Sequence, residues 1–168
     1  MTPSPSLHIR PARPDDLPAI GRLGAALVRH HHSLDPLRFF LAEDLEEGYA
    51  SFLGGELGRK RSVLIVAEAR DEQDAGQVVG YAWGRLESRD WDNLLDVAGK
   101  LHDVYVDPSA RGLGAGRALC EEMIQRLSAL GAPRIVLSTA WGNAPAQRLF
   151  ESLGFRRTMI EMTRERGP

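Results

Sequence analysis

The sequence predicts a mixed α/β (α+β) fold: a mostly antiparallel central sheet of about six to seven strands with helices on both faces. Short apolar, β-branched segments alternate with longer segments in which apolar residues recur every three or four positions, as in strands and amphipathic helices. A hairpin-like middle is followed by alternating strands and helices, which is typical of crossover connections. With 43% hydrophobic and 26% charged residues, the chain is expected to form a single domain over 1–168.

The predicted elements follow one another in the order βααβββαβαβ. Residues 1–6 are rich in proline and serine and are expected to be a disordered terminus. Strands are predicted at 7–10, 62–69, 78–86, 99–106, 134–139 and 155–162. Helices are predicted from Asp15 to about His30, over 36–57, from a glycine-rich turn to Leu130, and over 143–153. The polar segment 71–76 is expected to be the turn of an antiparallel hairpin.

Charge and composition exclude several classes of partner. The formal net charge is −2 and the sequence pI is about 6.2, so the chain lacks the positive field that favours nucleic acid. No stretch approaches the roughly 18 apolar residues of a membrane span, and the N-terminus lacks the features of a signal peptide. A single cysteine, Cys120, excludes an intrachain disulfide and a cysteine-pair zinc site. We therefore expect a cytoplasmic protein with a small-molecule or peptide partner and no affinity for nucleic acid or membrane.

A glycine-rich turn at 111–117, Arg-Gly-Leu-Gly-Ala-Gly-Arg, joins a strand to a helix. Such a turn suits an anion, because helix N-termini leave backbone N–H groups unpaired and glycine permits positive φ and close approach. A dinucleotide-binding fingerprint fails, since Arg117 or Leu119 stands where its last glycine belongs. A P-loop fails because Arg117-Ala118 replaces its Lys-Ser/Thr pair. The turn therefore indicates a phosphate-bearing ligand of another kind.

Two sequence motifs, which follow one another along the chain, resemble those of a known family. The segment 101–119 contains the pattern Arg-x-x-Gly-x-Gly, and 143–155 contains an asparagine, a phenylalanine four residues before a glycine, and a Gly-Phe pair. Together they resemble the cofactor-binding motif and the following motif of the GNAT superfamily of N-acetyltransferases, and 8–16 resembles the start of such domains more loosely. The resemblance implies transfer of an acetyl group from acetyl-CoA to a primary amine, with no metal. A homodimer is common among such proteins.

The resemblance also implies where acetyl-CoA would lie. The strands at 101–106 and 134–139 would splay apart, with the backbone of the first pairing with the pantetheine arm. The N–H groups of 111–117 would bind the pyrophosphate, and Asn143 would contact the arm from the other side. The expected cofactor-binding residues are Val104, Tyr105, Val106, Arg111, Gly112, Leu113, Gly114, Ala115, Gly116, Arg117, Asn143, Ala146 and Phe150.

The same resemblance places the catalytic chemistry at His102 and Asp103. The acceptor ammonium must lose a proton before its amine attacks the thioester, so a base or a water chain is needed. His102 stands where many members carry a glutamate, and an imidazole with a pKa near 6.5 is mostly neutral at pH 7. The alternative is that His102 only packs or hydrogen-bonds within its strand.

Phe150 departs from the family pattern. Many members carry there a tyrosine that protonates the departing thiolate, and phenylalanine has no proton to give. Water, Ser152 or Tyr105 would then act as the acid, or the thiolate leaves unaided. The same departure motivates an alternative function, a non-catalytic acyl-CoA-binding or sensing domain.

In the fold that the sequence resembles, the loop between the first two helices overlies the acceptor. The candidate substrate residues are His31, His32, Phe39 and Trp83. The run from His30 to His32 is not expected to bind a metal, since consecutive helical residues point about 100° apart. Cys120 falls on the apolar side of its helix and is expected to be packed rather than reactive.

Overall fold

The computed structural model describes residues 6–70 and 76–167, and within these ranges the chain forms four α-helices and one five-stranded sheet. The strands are β1 (Ser6–Pro11), β2 (Ser62–Arg70), β3 (Gln77–Glu87), β4 (Ala98–Val106) and β5 (Ile135–Leu137). The helices are α1 (Leu17–Leu34), α2 (Leu45–Gly54), α3 (Ala115–Ala129) and α4 (Ala144–Ser152). The mixed α/β class predicted from the sequence is confirmed. The predicted disordered terminus falls, apart from Ser6, outside the described residues.

The strands lie in the order of the chain, from β1 at one edge of the sheet to β5 at the other. β1 to β4 pair antiparallel, so the predicted hairpin of β2 and β3 is confirmed, while residues 71–75 of its turn lie outside the described residues. β5 pairs parallel to β4 after the crossover through α3. This pairing joins only Gly99–Leu101 to Ile135–Leu137, so the two strands part beyond Leu101 in agreement with the predicted gap.

Helices cover both faces of the sheet, as predicted. We call the two sides the α3/α4 face and the α1/α2 face after the helices that pack on them. The core of the α3/α4 face includes Ile65, Ala82, Leu101, Leu119, Met123, Leu127 and Phe150. The core of the α1/α2 face includes Ile20, Leu23, Leu27, Leu53, Leu64, Val66, Tyr81 and Trp83. The apolar residues of the central strands thus alternate between two separate cores.

An ion-pair cluster fastens β1 to the start of α1. The guanidinium of Arg10 donates to the two carboxylate oxygens of Asp16 at 2.7 and 2.9 Å, and it also donates to Glu68 on β2. All three side chains are roughly nine-tenths buried. Hydrogen bonds from Arg10 hold the pKa of Asp16 and the pKa of Glu68 below their ordinary values. The cluster therefore stabilises the folded state at any pH above the ordinary pKa of a carboxyl group. This stabilisation is lost as the pH falls through the lowered pKa values that the two carboxyl groups have in the folded protein.

The second helix is shorter than the sequence predicts. Helix was expected over 36–57, but α2 begins only at Leu45. The Asp35 carboxylate accepts backbone hydrogen bonds at the start of a turn, and Asp44 adopts a left-handed φ of 54° just before α2. Leu37 belongs to the apolar face of the predicted helix, yet its side chain is 77% exposed. Local turn chemistry therefore prevails over the apolar periodicity in this loop.

The predicted closing strand at 155–162 is absent, so the sheet has five strands over the described residues rather than six to seven. β5 is also shorter than the predicted 134–139, because it ends at Leu137. A strand needs a hydrogen-bonded neighbour along its length, and β5 offers too short an edge for a strand of the predicted length. The segment instead exposes apolar side chains, among them Met159 and Met162.

The contact between α1 and α2 leads to a test with a matched control. A Cβ at Gly24 of α1 would lie 2.1 Å from the Tyr49 ring, whereas a Cβ at exposed Gly48 of α2 would meet nothing within 4 Å among the described residues. We expect Gly24→Ala to destabilise the fold by about 1–3 kcal/mol through overpacking. Gly48→Ala should stabilise it by roughly 0.5–1 kcal/mol through higher helix propensity. Chemical denaturation measures both changes, and equal effects would contradict the close contact.

Candidate active site

A β-bulge in β4 places two ionisable residues on one face of the sheet. In the register of β3 and β4, Trp83 pairs with Asp103. The next residue, Gly84, pairs with Leu101, so His102 has no residue opposite it. Successive strand residues normally point to opposite faces. The extra residue lets the side chains of both His102 and Asp103 reach the α1/α2 face, while Leu101 is buried under α3.

Asp103 lies between two phenols. The hydroxyl groups of Tyr49 on α2 and Tyr81 on β3 donate to the same carboxylate oxygen, Oδ2, at 3.2 and 3.1 Å. Burial raises the pKa of Asp103 above its ordinary value, against the opposing effect of the two hydrogen bonds. Burial and the adjacent carboxylate also raise the pKa of each tyrosine, so both phenols stay protonated as donors. Asp103 is therefore a more basic carboxylate than an exposed aspartate.

His102 lies against Trp83 and Glu87. Its ring stacks on the Trp83 indole, with ring centroids 4.3 Å apart and planes inclined by 20°. Its Nε2 atom is 3.0 Å from Oε1 of Glu87. Burial lowers the pKa of His102, and this effect outweighs the opposing influence of the Glu87 carboxylate. The imidazole is therefore neutral at pH 7 and able to accept a proton.

The end of β4 beyond the bulge has a free edge. Val104, Tyr105 and Val106 pair with β3 on one side, but no described strand pairs with them on the side of β5. The backbone N–H and C=O groups of an unpaired strand edge are available to an extended ligand, and here the exception is the Val106 carbonyl, which accepts a hydrogen bond from Arg111. All three predicted pantetheine-binding residues thus lie along the gap between β4 and β5.

The glycine-rich turn leads into α3 through two left-handed residues. Gly112 and Gly114 have φ values of 82° and 84°, which disfavour any residue with a Cβ atom. Gly114 is the N-cap of α3, and no described side chain caps the helix there. A Cβ at either glycine would meet nothing within 4 Å among the described residues, so the turn borders open space. The first backbone N–H groups of α3 are therefore available to an anion.

The two arginines of the turn are exposed and locally anchored. Arg111 donates from Nε to the Val106 carbonyl at 3.3 Å, and its guanidinium lies 5.6 Å from the centre of the Tyr105 ring. Arg117 donates to Ser152 Oγ at 2.6 Å. Arg117 also forms an ion pair with Glu121, one helical turn along α3, at 3.3 Å. Arg111 therefore places positive charge beside the uncapped N-terminus of α3, whereas the Arg117 guanidinium is paired within the protein.

The second predicted cofactor motif lies at the start and in the middle of α4. Asn143 is the N-cap of this helix, and its Oδ1 atom accepts a hydrogen bond from the Ala146 backbone at 3.3 Å. The Phe150 ring is 7% exposed and packs against Phe155 with centroids 6.0 Å apart. Its side chain belongs to the core of the α3/α4 face. A cofactor contact at Phe150 would therefore involve backbone atoms.

Three of the predicted acceptor residues meet at the end of α1, which continues to Leu34 rather than ending near His30. The His31 ring centroid lies 4.9 Å from that of Phe39. The Nδ1 atom of His32 lies 2.8 Å from the Phe39 carbonyl oxygen. These contacts hold the start of the loop between α1 and α2 against the last turn of the helix.

The fourth predicted acceptor residue, Trp83, lies on the sheet rather than with the other three. Its side chain belongs to the core of the α1/α2 face, and its Nε1 atom donates to Ser62 Oγ at 3.0 Å. The indole stacks on one face of the His102 ring.

Sequence analysis did not identify Tyr49, Tyr81 or Glu87, although each contacts a predicted catalytic residue. Tyr81 lies two residues before Trp83 on the same strand, so strand alternation alone places both on one face. No comparable signal marks Tyr49, whose position depends on how α2 packs. Glu87 ends β3, and its contact with His102 depends on the register shift at the bulge.

Cys120 lies where its helix position predicts. Its side chain is fully buried in the core between α3 and the sheet, and burial raises the pKa of its thiol to about 12. Over the described residues, no three or more His, Cys, Asp or Glu side chains are grouped so as to hold a metal ion. None of the described helices is both long and apolar enough to cross a membrane.

Comparison with known proteins identifies the family. A family model for the acetyltransferase (GNAT) family matches residues 26–155, which include the β4 bulge, the glycine-rich turn and α4. The chain belongs to this family. The GNAT resemblance found in the two sequence motifs is thereby confirmed.

Individual GNAT relatives agree with this assignment. A mycothiol acetyltransferase of Thermomonospora curvata is 36% identical over 93 residues, which cover 55% of this chain and 29% of that protein. The matched part of the chain spans less than half the length of the curated relatives, between 29% and 46%.

Two solved structures show the GNAT fold. A tetramutant of the BH1408 protein from Bacillus halodurans superposes with a TM-score of 0.78 at 23% identity, covering 94% of this chain and 99% of that chain. The aminoglycoside N-acetyltransferase AAC(6')-Iy, in complex with CoA, superposes with a TM-score of 0.72 at 18% identity, covering 99% and 98%. The fold therefore extends over nearly the whole chain.

The phenol pair around Asp103 leads to a titration test. We expect Tyr49→Phe to raise the pKa of Asp103 further, because the variant removes a hydrogen bond that stabilises the carboxylate. NMR titration of the Asp103 carboxyl carbon measures this shift. Tyr105→Phe is the matched control, since Tyr105 packs on the same face without a described hydrogen bond to Asp103. An unchanged or lower pKa in Tyr49→Phe would refute the contact.

Proposed function

We propose that the chain is an acetyl-CoA-dependent N-acetyltransferase that transfers an acetyl group to a primary amine by direct attack of the amine on the thioester. The β4 bulge carries this proposal. It brings a neutral imidazole, His102, and a buried carboxylate, Asp103, to one face directly beyond the last residue of β4 that pairs with β5. Membership of the GNAT family supports the reaction type.

The residues around the gap fit acetyl-CoA, which supplies the acetyl group as a thioester when bound. The uncapped N-terminus of α3 provides N–H donors for a pyrophosphate, and the open space beside Gly112 and Gly114 leaves room for it. Arg111 adds a fork-shaped cationic donor. Arg117 would contribute only by exchanging its contacts with Glu121 and Ser152. The free edge of β4 at 104–106 can pair with the amide groups of the pantetheine arm.

We assign removal of the acceptor proton to His102. A substrate ammonium with a lysine-like pKa near 10 is charged at pH 7, and only its neutral form is nucleophilic. The lowered pKa of His102 keeps the imidazole unprotonated at neutral pH. Asp103 accepts two phenol hydrogen bonds on the same face, and a cationic acceptor beside it would favour its ionised form.

No side chain is assigned to protonation of the departing thiolate. The buried Phe150 ring has no transferable proton. The Ser152 hydroxyl donates to the Leu149 carbonyl at 2.7 Å, so its proton is already engaged. A thiol with a pKa near 8.5 gives a weakly basic thiolate, which can leave unaided.

The proposed acceptor is the primary amine of a small polar molecule such as an amino sugar. A structural relative that shares the fold is named an aminoglycoside N-acetyltransferase. The end of α1 contributes the His31 imidazole and the loop after it contributes the Phe39 ring, and these can hydrogen-bond and stack on a hydroxyl-rich acceptor. Release of CoA with a panel of amino sugars, polyamines, amino acids and peptides tests the class, and activity confined to peptides would exclude it.

The base assignment leads to a prediction for the pH profile. We expect His102→Ala to lower kcat/KM by roughly 10²-fold or more, because general-base catalysis contributes at least that much. The acidic limb of the profile should also disappear, since it reports loss of the neutral imidazole. The control is His8→Ala, at an exposed position on β1. The rate of CoA release measured as a function of pH tests this prediction. If the acidic limb of the pH profile is unchanged in His102→Ala, the base is another group.

The glycine-rich turn leads to a prediction for cofactor binding. Gly114→Ala should raise the KM for acetyl-CoA roughly 10-fold, because its Cβ would project into the space proposed for the pyrophosphate and strain the turn. Gly58 is a matched control, with a φ of 75° and equally open surroundings between α2 and β2. Its alanine variant carries a similar backbone strain of about 1–2 kcal/mol. Equal KM changes in the two variants would contradict a cofactor site at the turn.

A second candidate function is an acyl-CoA-binding or sensing domain without turnover. The absence of a phenol at Phe150 favours it, because the tyrosine typical of this position is missing. Tight binding of acetyl-CoA without CoA release on any acceptor of the panel would support sensing and exclude the transferase.

A further inference from the structure

The carboxylate of Glu87 makes a direct contact with the proposed base. Glu87 ends β3, and its Oε1 atom lies 3.0 Å from Nε2 of His102 on the neighbouring strand. We infer that Glu87 is a positioning residue, which fixes the tautomer and the orientation of His102 and leaves Nδ1 as the atom that takes the acceptor proton. This inference rests on the proposed function of His102 and goes beyond it, because it assigns a role to a residue outside the sequence motifs.

The proton on His102 follows from the chemistry of its partner. An ionised carboxylate can only accept hydrogen bonds, so the neutral imidazole must donate from Nε2 to Glu87. A neutral imidazole carries one proton, and its other nitrogen is then the basic atom. The contact therefore selects Nδ1 as the proton acceptor before any substrate arrives.

Two contacts together restrict the ring. The Trp83 indole covers one face of the imidazole at a centroid distance of 4.3 Å, and Glu87 fixes the Nε2 edge. Phe52 in turn meets the Trp83 ring edge-on at 5.1 Å, so the indole is itself supported from α2. The ring is thus held by stacking and by a directional hydrogen bond at the same time, as an oriented base requires.

Glu87 is in turn supported by a line of opposite charges. Arg85 Nε lies 3.9 Å from the same Glu87 oxygen that contacts His102. Glu56, which is 5% exposed, lies 3.7 Å from Arg85 on the other side. Alternating charges therefore extend from the end of α2 to the imidazole. Arg85 thus places a positive charge near the Glu87 carboxylate, and an ionised carboxylate can only accept a hydrogen bond.

The charged groups that act on His102 come from its own strand and from the neighbouring strand β3. Glu87 on β3 and Asp103 on β4 raise its pKa, and Lys100 on β4 lowers it together with burial. Removal of the Glu87 charge leaves burial and Lys100 less opposed. The pKa of His102 must then fall, and the pH at which the base becomes protonated falls with it.

The decisive experiment compares Glu87→Gln with Glu122→Gln. Glu122 on α3 is a matched control, because it is similarly exposed and is also paired with an arginine, Arg126. Glu87→Gln should lower kcat roughly 10-fold and move the acidic limb of kcat/KM to lower pH, whereas Glu122→Gln should change neither. If Glu87→Gln changes neither kcat nor the acidic limb of the kcat/KM profile, the inference is wrong.

NMR of the protein without substrate tests the same inference independently of turnover. The nitrogen shifts of His102 should report the Nε2–H tautomer in the unmodified chain and a mixture of tautomers in Glu87→Ala. The pKa of His102 should be lower in Glu87→Gln. If His102 instead carries its proton on Nδ1 in the unmodified chain, the inference fails even where acetyl transfer is observed. If His102 has the expected Nε2–H tautomer but no amine is acetylated, the proposed function is wrong while the positioning role of Glu87 is retained.

A double variant separates positioning from direct catalysis. If Glu87 acts through His102, then Glu87→Gln should have no further effect on kcat in a His102→Ala background. A further 10-fold loss in that background would mean that Glu87 acts on the substrate by itself and would overturn the positioning role. Thermal unfolding of each variant checks that the fold is retained, and Glu87→Gln keeps the size and shape of the side chain.

Discussion

One extra residue in β4 sets the chemistry of the candidate site. Without the bulge, strand alternation would send either His102 or Asp103 into the apolar core under α3, where an unpaired ionisable group is costly to bury. With the bulge, both side chains share a face with Tyr81 and Trp83. The bulge also lies where β4 leaves β5, so the two groups stand beside a free strand edge.

The common face shifts the pKa values of the two groups in opposite directions through one physical cause. Burial disfavours charge on any side chain, so it lowers the pKa of the His102 imidazole and raises the pKa of the Asp103 carboxyl. Hydrogen bonds then oppose burial at each group, from the phenols at Asp103 and from Glu87 at His102. A neutral base thus lies next to a carboxylate that prefers a cationic neighbour, a combination suited to deprotonating an ammonium.

The sequence predicts those parts of the site that depend on local chain geometry. Gly112 and Gly114 indicate a left-handed turn before a helix without a side-chain cap. The hairpin of β2 and β3 is predicted by the alternation of apolar and polar residues and by the turn residues between the two strands. The bulge could not be predicted, because it depends on the register between two strands and leaves no mark at His102 itself. For the same reason the contact with Glu87 emerges only from the three-dimensional structure.

The two largest structural errors in prediction, at 36–44 and at 155–162, have a common origin. The apolar residues over 36–44 are spaced as in a helix and those over 155–162 as in a strand. Neither segment packs against a surface that would bury these residues. Instead, the two segments meet each other through the ion pair of Arg38 and Glu161. Secondary structure is stabilised by packing more than by propensity, so periodicity alone overestimates both elements.

Packing between α1 and α2 reaches the site through Tyr49. A Cβ at Gly21 would lie 2.4 Å from the Glu46 carbonyl, and a Cβ at Gly24 would overlap the Tyr49 ring, so the two helices approach through glycine. That approach sets where the Tyr49 hydroxyl stands, and the hydroxyl holds the Asp103 carboxylate. A change in how α2 packs on α1 would therefore displace one of the two hydrogen-bond donors of Asp103. The packing of the two helices is in this way coupled to the environment of the Asp103 carboxylate.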